Sequence, residues 1–546
     1  MKIIFSVLLL TFFVLLSQKA IAVAATGNGA IDSTVKINHS TTNGPALAEE
    51  DYYSISIDSM GDLNGDGVQD LVVGAYGDDN GGTDRGAVHI HFMNTDGSID
   101  STVELNDGTT NGPALSDEDY YGISVTSLGD LNEDGVADLA VGAHGDDNGG
   151  TDRGAVHIHF MNSDGSIDST VEINESTANG PTLSDEDYYG LAIAAIGDLN
   201  GDGVQDLAVG APEDDSGGST RGAVHIHFMN TDGSVDSTVE INSDTANGPS
   251  LSNLSYYGFG ITPLGDLNGD GVPDLGVGAP NAVSTGKGAF YIHFMNTDGS
   301  IDSTVTINES TANGPSISDY DLYGFSVDSM GDLNGDGVID LAVGAPGDDT
   351  GGTNQGAVYI HFMNTDGSIY STIKLSGSTT NGATLENNAT YGASVASIGD
   401  LDGNGVNDLA AGIDEDGTFH GAMFIHFMHK VITATTENKF SEDKKCPWIK
   451  PMEITWIKLE PATKAEIEGM LVTWTQYEAN KVNIEIDDGT GNYPWKIEKI
   501  SNDGHEFLPN AQTWQNIKIK PVNHCKKGEY SPAVSYNTYP SGWYNL

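Results

Sequence analysis

A nine-residue pattern, Asp-x-Asn-x-Asp-Gly-x-x-Asp, opens at Asp62 and returns at Asp130, Asp198, Asp266, Asp332 and, slightly rearranged, at Asp400; the spacings are 68, 68, 68, 66 and 68 residues. A supersecondary unit of this size, used six times, cannot bury its apolar face alone and must be covered by its neighbours. Each unit carries four short strand-like runs; in the second they are YYGISVTSL, DLAVGA, GAVHIHFMN and IDSTVEIN, separated by turn residues. The Asn-Thr-Asp-Gly at residues 94–97 suits a hairpin turn, because Asp-Gly tolerates positive φ. Four antiparallel strands per repeat predict a β-propeller over a stacked solenoid or beads on a string. The ends favour ring closure. AIDSTVKIN at residues 30–38 matches the fourth strand of every unit, whereas the last unit stops after its third, GAMFIHFM at 421–428. The first segment is therefore expected to complete the last blade like a clasp, giving six blades, with seven as the alternative count.

The nine-residue pattern places oxygen donors at alternate positions with glycine at the sixth, which describes a loop wrapped around a hard cation of calcium size. The donors are Asp62, Asn64, Asp66, the carbonyl of Val68 and Asp70 in the first copy, and Asp130, Asn132, Asp134, Val136 and Asp138 in the second. They are Asp198, Asn200, Asp202, Val204 and Asp206 in the third, and Asp266, Asn268, Asp270, Val272 and Asp274 in the fourth. The fifth offers Asp332, Asn334, Asp336, Val338 and Asp340. The sixth, DLDGNGVND, exchanges Asn and Asp and offers Asp400, Asp402, Asn404, Val406 and Asp408. Three carboxylates in one loop repel one another unless a divalent ion reverses the interaction. An EF-hand would need a Glu at position twelve, where the first copy has Val73. About six Ca2+ sites in β-hairpin loops are thus expected, against a bland reading as Asx turns alone.

YYG before the loop, GDLNGDG within it and DLAVGAP after it, as in residues 188–212, resemble the FG-GAP repeat of the integrin α-subunit propeller. The resemblance spans about residues 27–429. It implies structural calcium on one face and partners elsewhere, commonly on the opposite face. It also has departures: that propeller has seven blades with calcium loops in only some, and Gly-Ala-Pro occurs here only at 210–212, 278–280 and 344–346.

Lys2, an apolar run from Ile3 to Leu16 and small-residue sites ending at Ala22 and Ala24 predict a secretory signal peptide over residues 1–24. No other segment is apolar enough to span a bilayer, so the mature chain is expected without a transmembrane segment, secreted or at the cell surface. In that setting Cys446 and Cys525, the two cysteines, are expected to form a disulfide. Sequons at Asn38, Asn174, Asn253, Asn308 and Asn388 offer glycosylation sites. The net charge of −57 sits almost wholly before residue 430: residues 430–546 hold 14 Lys and 15 acidic residues. That shift places a linker at 430–445 and a second domain at 446–546. Nucleic acid is excluded as a partner of the acidic part by phosphate repulsion. The acidity also fits a saline habitat.

Each third strand carries a histidine: His91, His159, His227, His293, His361 and His426. His89, His157 and His225 precede three of them, and Tyr291, Tyr359 and Phe424 take that place in the later copies. His-x-His in a strand shares a face and suits zinc, but the exchange with aromatic residues favours ring packing. Arg85, Arg153 and Arg221 are expected to pair with the aspartates of their own GDDNGGTDRG-type stretches. In the tail, runs such as MEITWIKL and KVNIEIDD predict an antiparallel sandwich. Leu471, Val472 and Trp474, with Gly528, Ser531 and Pro532, are similar to a fibronectin type III module.

No nucleophile, base or phosphate loop stands out as a unique set. The expected function is a calcium-binding recognition or adhesion protein, not an enzyme, whose ligand is an extracellular protein or glycan. A lectin-like propeller, or a non-catalytic part of an extracellular hydrolase or lyase system, are the alternatives.

Overall fold

The computed structural model describes residues 29–282, 285–413 and 420–429, together with the strands between 433 and 535. The chain divides into a compact unit Gly29–His429 and a second one that takes in Lys430–Leu546.

The first unit is a ring of six four-stranded antiparallel sheets. Blade 1 comprises Tyr53–Gly61, Asp70–Ala75, Ala87–Met93 and Ile99–Leu105, in spatial order. Blades 2 to 5 repeat that order. The expected clasp is present: Ile31–Ile37 pairs antiparallel with Ala422–Met428, Ile37 lying opposite Met423, and supplies the outermost strand of blade 6. The ring therefore closes on a sheet whose strands come from both ends of the unit, leaving no unpaired edge at the seam.

The burial pattern follows from this stacking. Second and third strands, such as DLVVGA and AVHIHFM, are buried at every residue because neighbouring blades cover both of their faces. Fourth strands such as IDSTVEL are buried at their ends and exposed or half-buried in between, as outer edges. The apolar core is accordingly divided into clusters that each straddle two blades. Val72, Ile90 and Phe92 of blade 1 pack with Tyr121, Val141 and Met161 of blade 2, and Ile37 and Ile425 of blade 6 pack with Ile57 and Val73 of blade 1.

A polar relay recurs in every blade. In blade 1 the Tyr53 hydroxyl lies 2.7 Å from His91 Nε2, His91 Nδ1 lies 2.8 Å from Thr102 Oγ1, and Thr102 Oγ1 donates to the Asn43 carbonyl at 2.7 Å. Because the threonine proton is committed to a carbonyl, its oxygen must accept from Nδ1–H, so Nε2 accepts from the tyrosine. The same chain runs from Tyr391 through His426 to Thr34 across the clasp. These histidines are packing elements, as expected, and burial pushes His227, His293, His361 and His426 down to about 3. Thr102→Val keeps the shape and leaves Nδ1–H without an acceptor, so urea unfolding should show a loss of about 1–3 kcal/mol.

Two local expectations are corrected. Arg85 pairs with Asp107 at 2.8 Å and Asp117 at 3.0 Å, acids of the next inter-blade segment, and not with its own stretch; Arg153 repeats this with Glu175 and Asp185. Arg221 instead donates to the neutral Asn253 and Ser243 and, within its own stretch, to the Gly217 carbonyl and not to an aspartate. In the 94–97 turn only Gly97 adopts positive φ, at 78°.

In the second unit, Thr433–Ala434, Ile454–Leu459, Gly469–Trp474 and His505–Pro509 form one four-stranded antiparallel sheet. Trp495–Ser501, Lys481–Asp487, Asn516–Val522 and Val534–Ser535 form another. Thr433–Ala434 falls inside the stretch read as a linker and pairs with Ile454 and Thr455. The signal peptide, Cys446, Cys525 and most of 430–445 lie outside the described residues. Among the described residues no helix is long and apolar enough to cross a membrane.

Candidate metal centre

Each nine-residue loop joins the first and second strands of its blade, so all six lie at one end of the ring. In the first loop the Asp62 carboxylate accepts from the amides of Asp66 and Gly67, both at 2.8 Å. Asn64 Oδ1 accepts from Asp66 N at 2.8 Å, and Asp66 Oδ1 from Val68 N at 2.9 Å. The donors at positions one, three and five are thus held in place by the backbone they encircle. Gly67 has φ of 92°, and a Cβ there would meet nothing, so the glycine serves backbone conformation and not space.

The ninth residue has a different setting. Asp70 is fully buried, its Oδ2 accepting from Leu63 N at 3.0 Å and its Oδ1 from Met93 N at 3.0 Å. One carboxylate therefore ties the loop to the end of the third strand. Asp138, Asp206, Asp274, Asp340 and Asp408 make the same bond to the corresponding methionine, at 2.8–3.1 Å. Burial pushes Asp70, Asp138, Asp206 and Asp274 up to about 6, and Asp340 and Asp408 to about 7, against the lowering by those amides.

The exchanged sixth loop differs as its sequence requires. Asp400, Asp402 and Asp408 bring one oxygen each within 4.8 Å of one another, the one group of three or more acids, histidines or cysteines so placed among the described residues. In the other loops the third position is an asparagine, whose oxygen is neutral. Asp400 Oδ1 is buried with no hydrogen-bond partner. A convergent carboxylate trio with an orphaned oxygen fits a hard cation, which would supply the missing charge and the missing partner. In the first five loops the three carboxylates are not drawn together to that degree: positions one, three and five are held by loop amides and position nine by its own blade.

At the other end of the ring, rings from successive blades form an arc that sequence reading did not single out. Tyr52 stacks on Tyr76 at 5.0 Å, Tyr76 meets Tyr120 at 5.9 Å, Tyr120 stacks on His144 at 5.1 Å, and His144 reaches Tyr188 at 5.4 Å. Tyr120 and Tyr188 precede first strands; Tyr76 and His144 follow second strands. Sequence alone shows the Tyr-Tyr pairs but not that Tyr76 and His144 bridge them, since those contacts cross between blades.

Five stretches of the chain, residues 56–91, 121–159, 189–227, 260–293 and 325–361, match the FG-GAP repeat. Integrin alpha-5 of Xenopus laevis is 30% identical over 284 residues, covering 50% of this chain and 24% of that protein. Phosphatidylinositol-glycan-specific phospholipase D of Bos taurus is 33% identical over 205 residues, 36% of this chain and 23% of that enzyme. The chain spans about a quarter of the length of these curated relatives. Among solved structures, an exotype rhamnogalacturonan lyase aligns over 72% of this chain and 75% of its own at 14% identity, with a TM-score of 0.33.

Proposed function

We propose that this integrin-like β-propeller of FG-GAP repeats is a calcium-locked recognition module of a secreted or cell-surface protein, acting by binding an extracellular protein or glycan and not by catalysis. The observation that carries the reading is the division of the ring into two ends. One end bears six loops of the same donor pattern, with the ninth aspartate of each anchored to its own blade. Ca2+ held by the carboxylates of positions one, five and nine, the amide oxygen of position three and the position-seven carbonyl would offset two of the three negative charges of each loop and brace its hairpin. In the sixth loop, positions three and five exchange roles. The opposite end is left for a partner, and there the half-buried aromatic arc offers flat apolar faces with polar edges, the chemistry that protein and sugar ligands both use.

Repetition supports binding over turnover, because the polar sets that stand out recur from blade to blade as a scaffold does. The two sheets of the second unit serve, on this reading, as a fibronectin type III-like presenting domain. Immobilised glycans and extracellular-matrix proteins, probed with the full chain in calcium, test the reading. Tyr76→Ala and Tyr120→Ala should each weaken capture at least tenfold with the melting temperature held within a few degrees, since a half-buried aromatic anchor contributes about 2 kcal/mol to binding. Capture that is indifferent to both substitutions, or turnover of any lipid or polysaccharide offered, would count against it.

A further inference from the structure

We propose that blades 1, 2 and 3 each hold a second divalent cation, of the class that takes an imidazole nitrogen together with carboxylate oxygens, such as Zn2+ or Mn2+. The site lies at the end of the blade away from the nine-residue loop and comprises His89, Asp51, Asp78 and Glu104 in blade 1; no three of these donors lie within 4.8 Å of one another as the sixth-loop trio does, so the ion would have to draw them together. The first observation is an orphaned imidazole. His89 is 0% exposed and neither ring nitrogen has a hydrogen-bond partner; His157 and His225, each 1% exposed, leave Nε2 unpartnered. Buried ring nitrogens ordinarily find partners; among the other described histidines only His144, in the aromatic arc, also leaves one, its Nδ1, without a partner.

The second observation is where these rings face. His89 lies directly opposite Glu104 in the strand register, as His157 does Glu172 and His225 does Glu240. Asp78, 3% exposed, is bridged to Glu104 by the Asn80 amide, at 3.4 and 2.9 Å. Asp51, also 3% exposed, is raised to about 7, first by burial and then by the charges of Asp78 and its neighbours against the Ala48 amide.

The other blades serve as internal controls. In blade 5 the residue at the histidine position is Tyr359, whose hydroxyl donates to the Ser316 carbonyl at 2.7 Å and lies 3.1 Å from Asp348 Oδ2, so a ring here reaches the aspartate equivalent to Asp78. The glutamate position of that blade is Lys374, whose ammonium is bound to Asp348 and lies 2.6 Å from Thr350 Oγ1. The chain itself thus places a cation in the site. Burial would raise Asp348, yet Lys374 and Thr350 hold it below its ordinary value, whereas burial raises Asp78 and Asp214, and takes Asp146 to about 6. In blade 4 the histidine is replaced by Tyr291, and all three acids are gone together: Ser255, Ala282 and Thr306 stand in their places. Histidine occurs at this position only where the three carboxylates occur and no lysine does, a correlation that ring packing alone does not require. One nitrogen and up to three carboxylates suit a borderline ion more than calcium, which prefers oxygen throughout.

The full chain, with its loops saturated by calcium, is titrated with Co2+ as a spectroscopic stand-in and followed by visible absorption and by metal count. About three cobalt ions per chain are expected beyond the calcium, with absorption bands of a nitrogen-ligated ion. The triple variant His89→Tyr, His157→Tyr, His225→Tyr should lose all three at unchanged calcium count. If that variant misfolds, Asp78→Ala, Asp146→Ala and Asp214→Ala, which copy Ala282 of blade 4, should lose them instead. No cobalt beyond the calcium in the unmodified chain, or an equal cobalt count in a folded variant, would overturn the proposal.

Discussion

Gly142→Ala is expected to abolish folding of the propeller or to destabilise it by more than about 4 kcal/mol, as overpacking against rigid backbone does. A Cβ on Gly142 would lie 1.9 Å from the carbonyl oxygen of Gly190 in the next blade and 2.4 Å from Ser124 Oγ. A backbone carbonyl in a sheet cannot move aside, so the two blades would have to separate. The contact recurs around the ring: Gly74 meets Gly122 O at 1.9 Å, Gly210 meets Gly258 O at 2.0 Å, and Gly278 meets Gly324 O at 1.9 Å. At the closing seam Gly412 faces Ser54 O at 2.2 Å, and Ser54, which takes the place of the usual glycine, is held at φ of 76°. Gly129→Ala is the control. It also sits at positive φ, 61°, but nothing lies within 4 Å, so it should cost only about 1 kcal/mol. Comparable losses for the two variants in urea unfolding would show that blade contact does not depend on these glycines.

Excess chelator should lower the melting temperature on the order of 10 °C or more, because each calcium site filled at a hundred times its dissociation constant contributes about 2.7 kcal/mol. Native mass spectrometry should count about six ions. The gap between calcium and chelator should narrow as pH falls from 7 to 5. The ninth-position carboxylates are raised to about 6 or 7 by burial, so in the metal-free fold they bind protons that the unfolded chain, with ordinary values near 4, does not. Their contribution to metal-free stability is complete below the unfolded value and is lost as pH rises through 6 to 7. Protons and calcium relieve the same buried charges. The relay histidines act oppositely: depressed to about 3 in blades 3 to 6, they are fully stabilising above 6.5 and lose this below it. They do so with or without calcium and drop out of the difference. Identical melting in calcium and chelator would leave the loops as Asx turns; a gap that does not change with pH would remove the ninth aspartate from the site.

The repeat length, the order of four strands, the clasp and the six oxygen-rich loops were legible in the sequence because each is written in neighbouring residues: alternation, turn glycines, donors two positions apart. What the loops lacked in sequence was the second role of the ninth aspartate, whose partner Met93 lies a strand further on. The glycines of Gly-Ala and Tyr-Gly were visible as a recurring signature, yet their reason, backbone against backbone between adjacent blades, exists only once the ring is closed. The partners of Arg85 are hidden from sequence for the same cause, since Asp107 and Asp117 reach it from another segment. The histidines were read by residue type as packing. That holds for His91, whose two nitrogens are satisfied by Tyr53 and Thr102; His89, two residues away on the same strand face, also packs edge-on against Tyr53, at 5.7 Å, but its two nitrogens are left without partners. Local chemistry sets the elements; which polar atoms find partners is decided by the distances that tertiary packing alone creates.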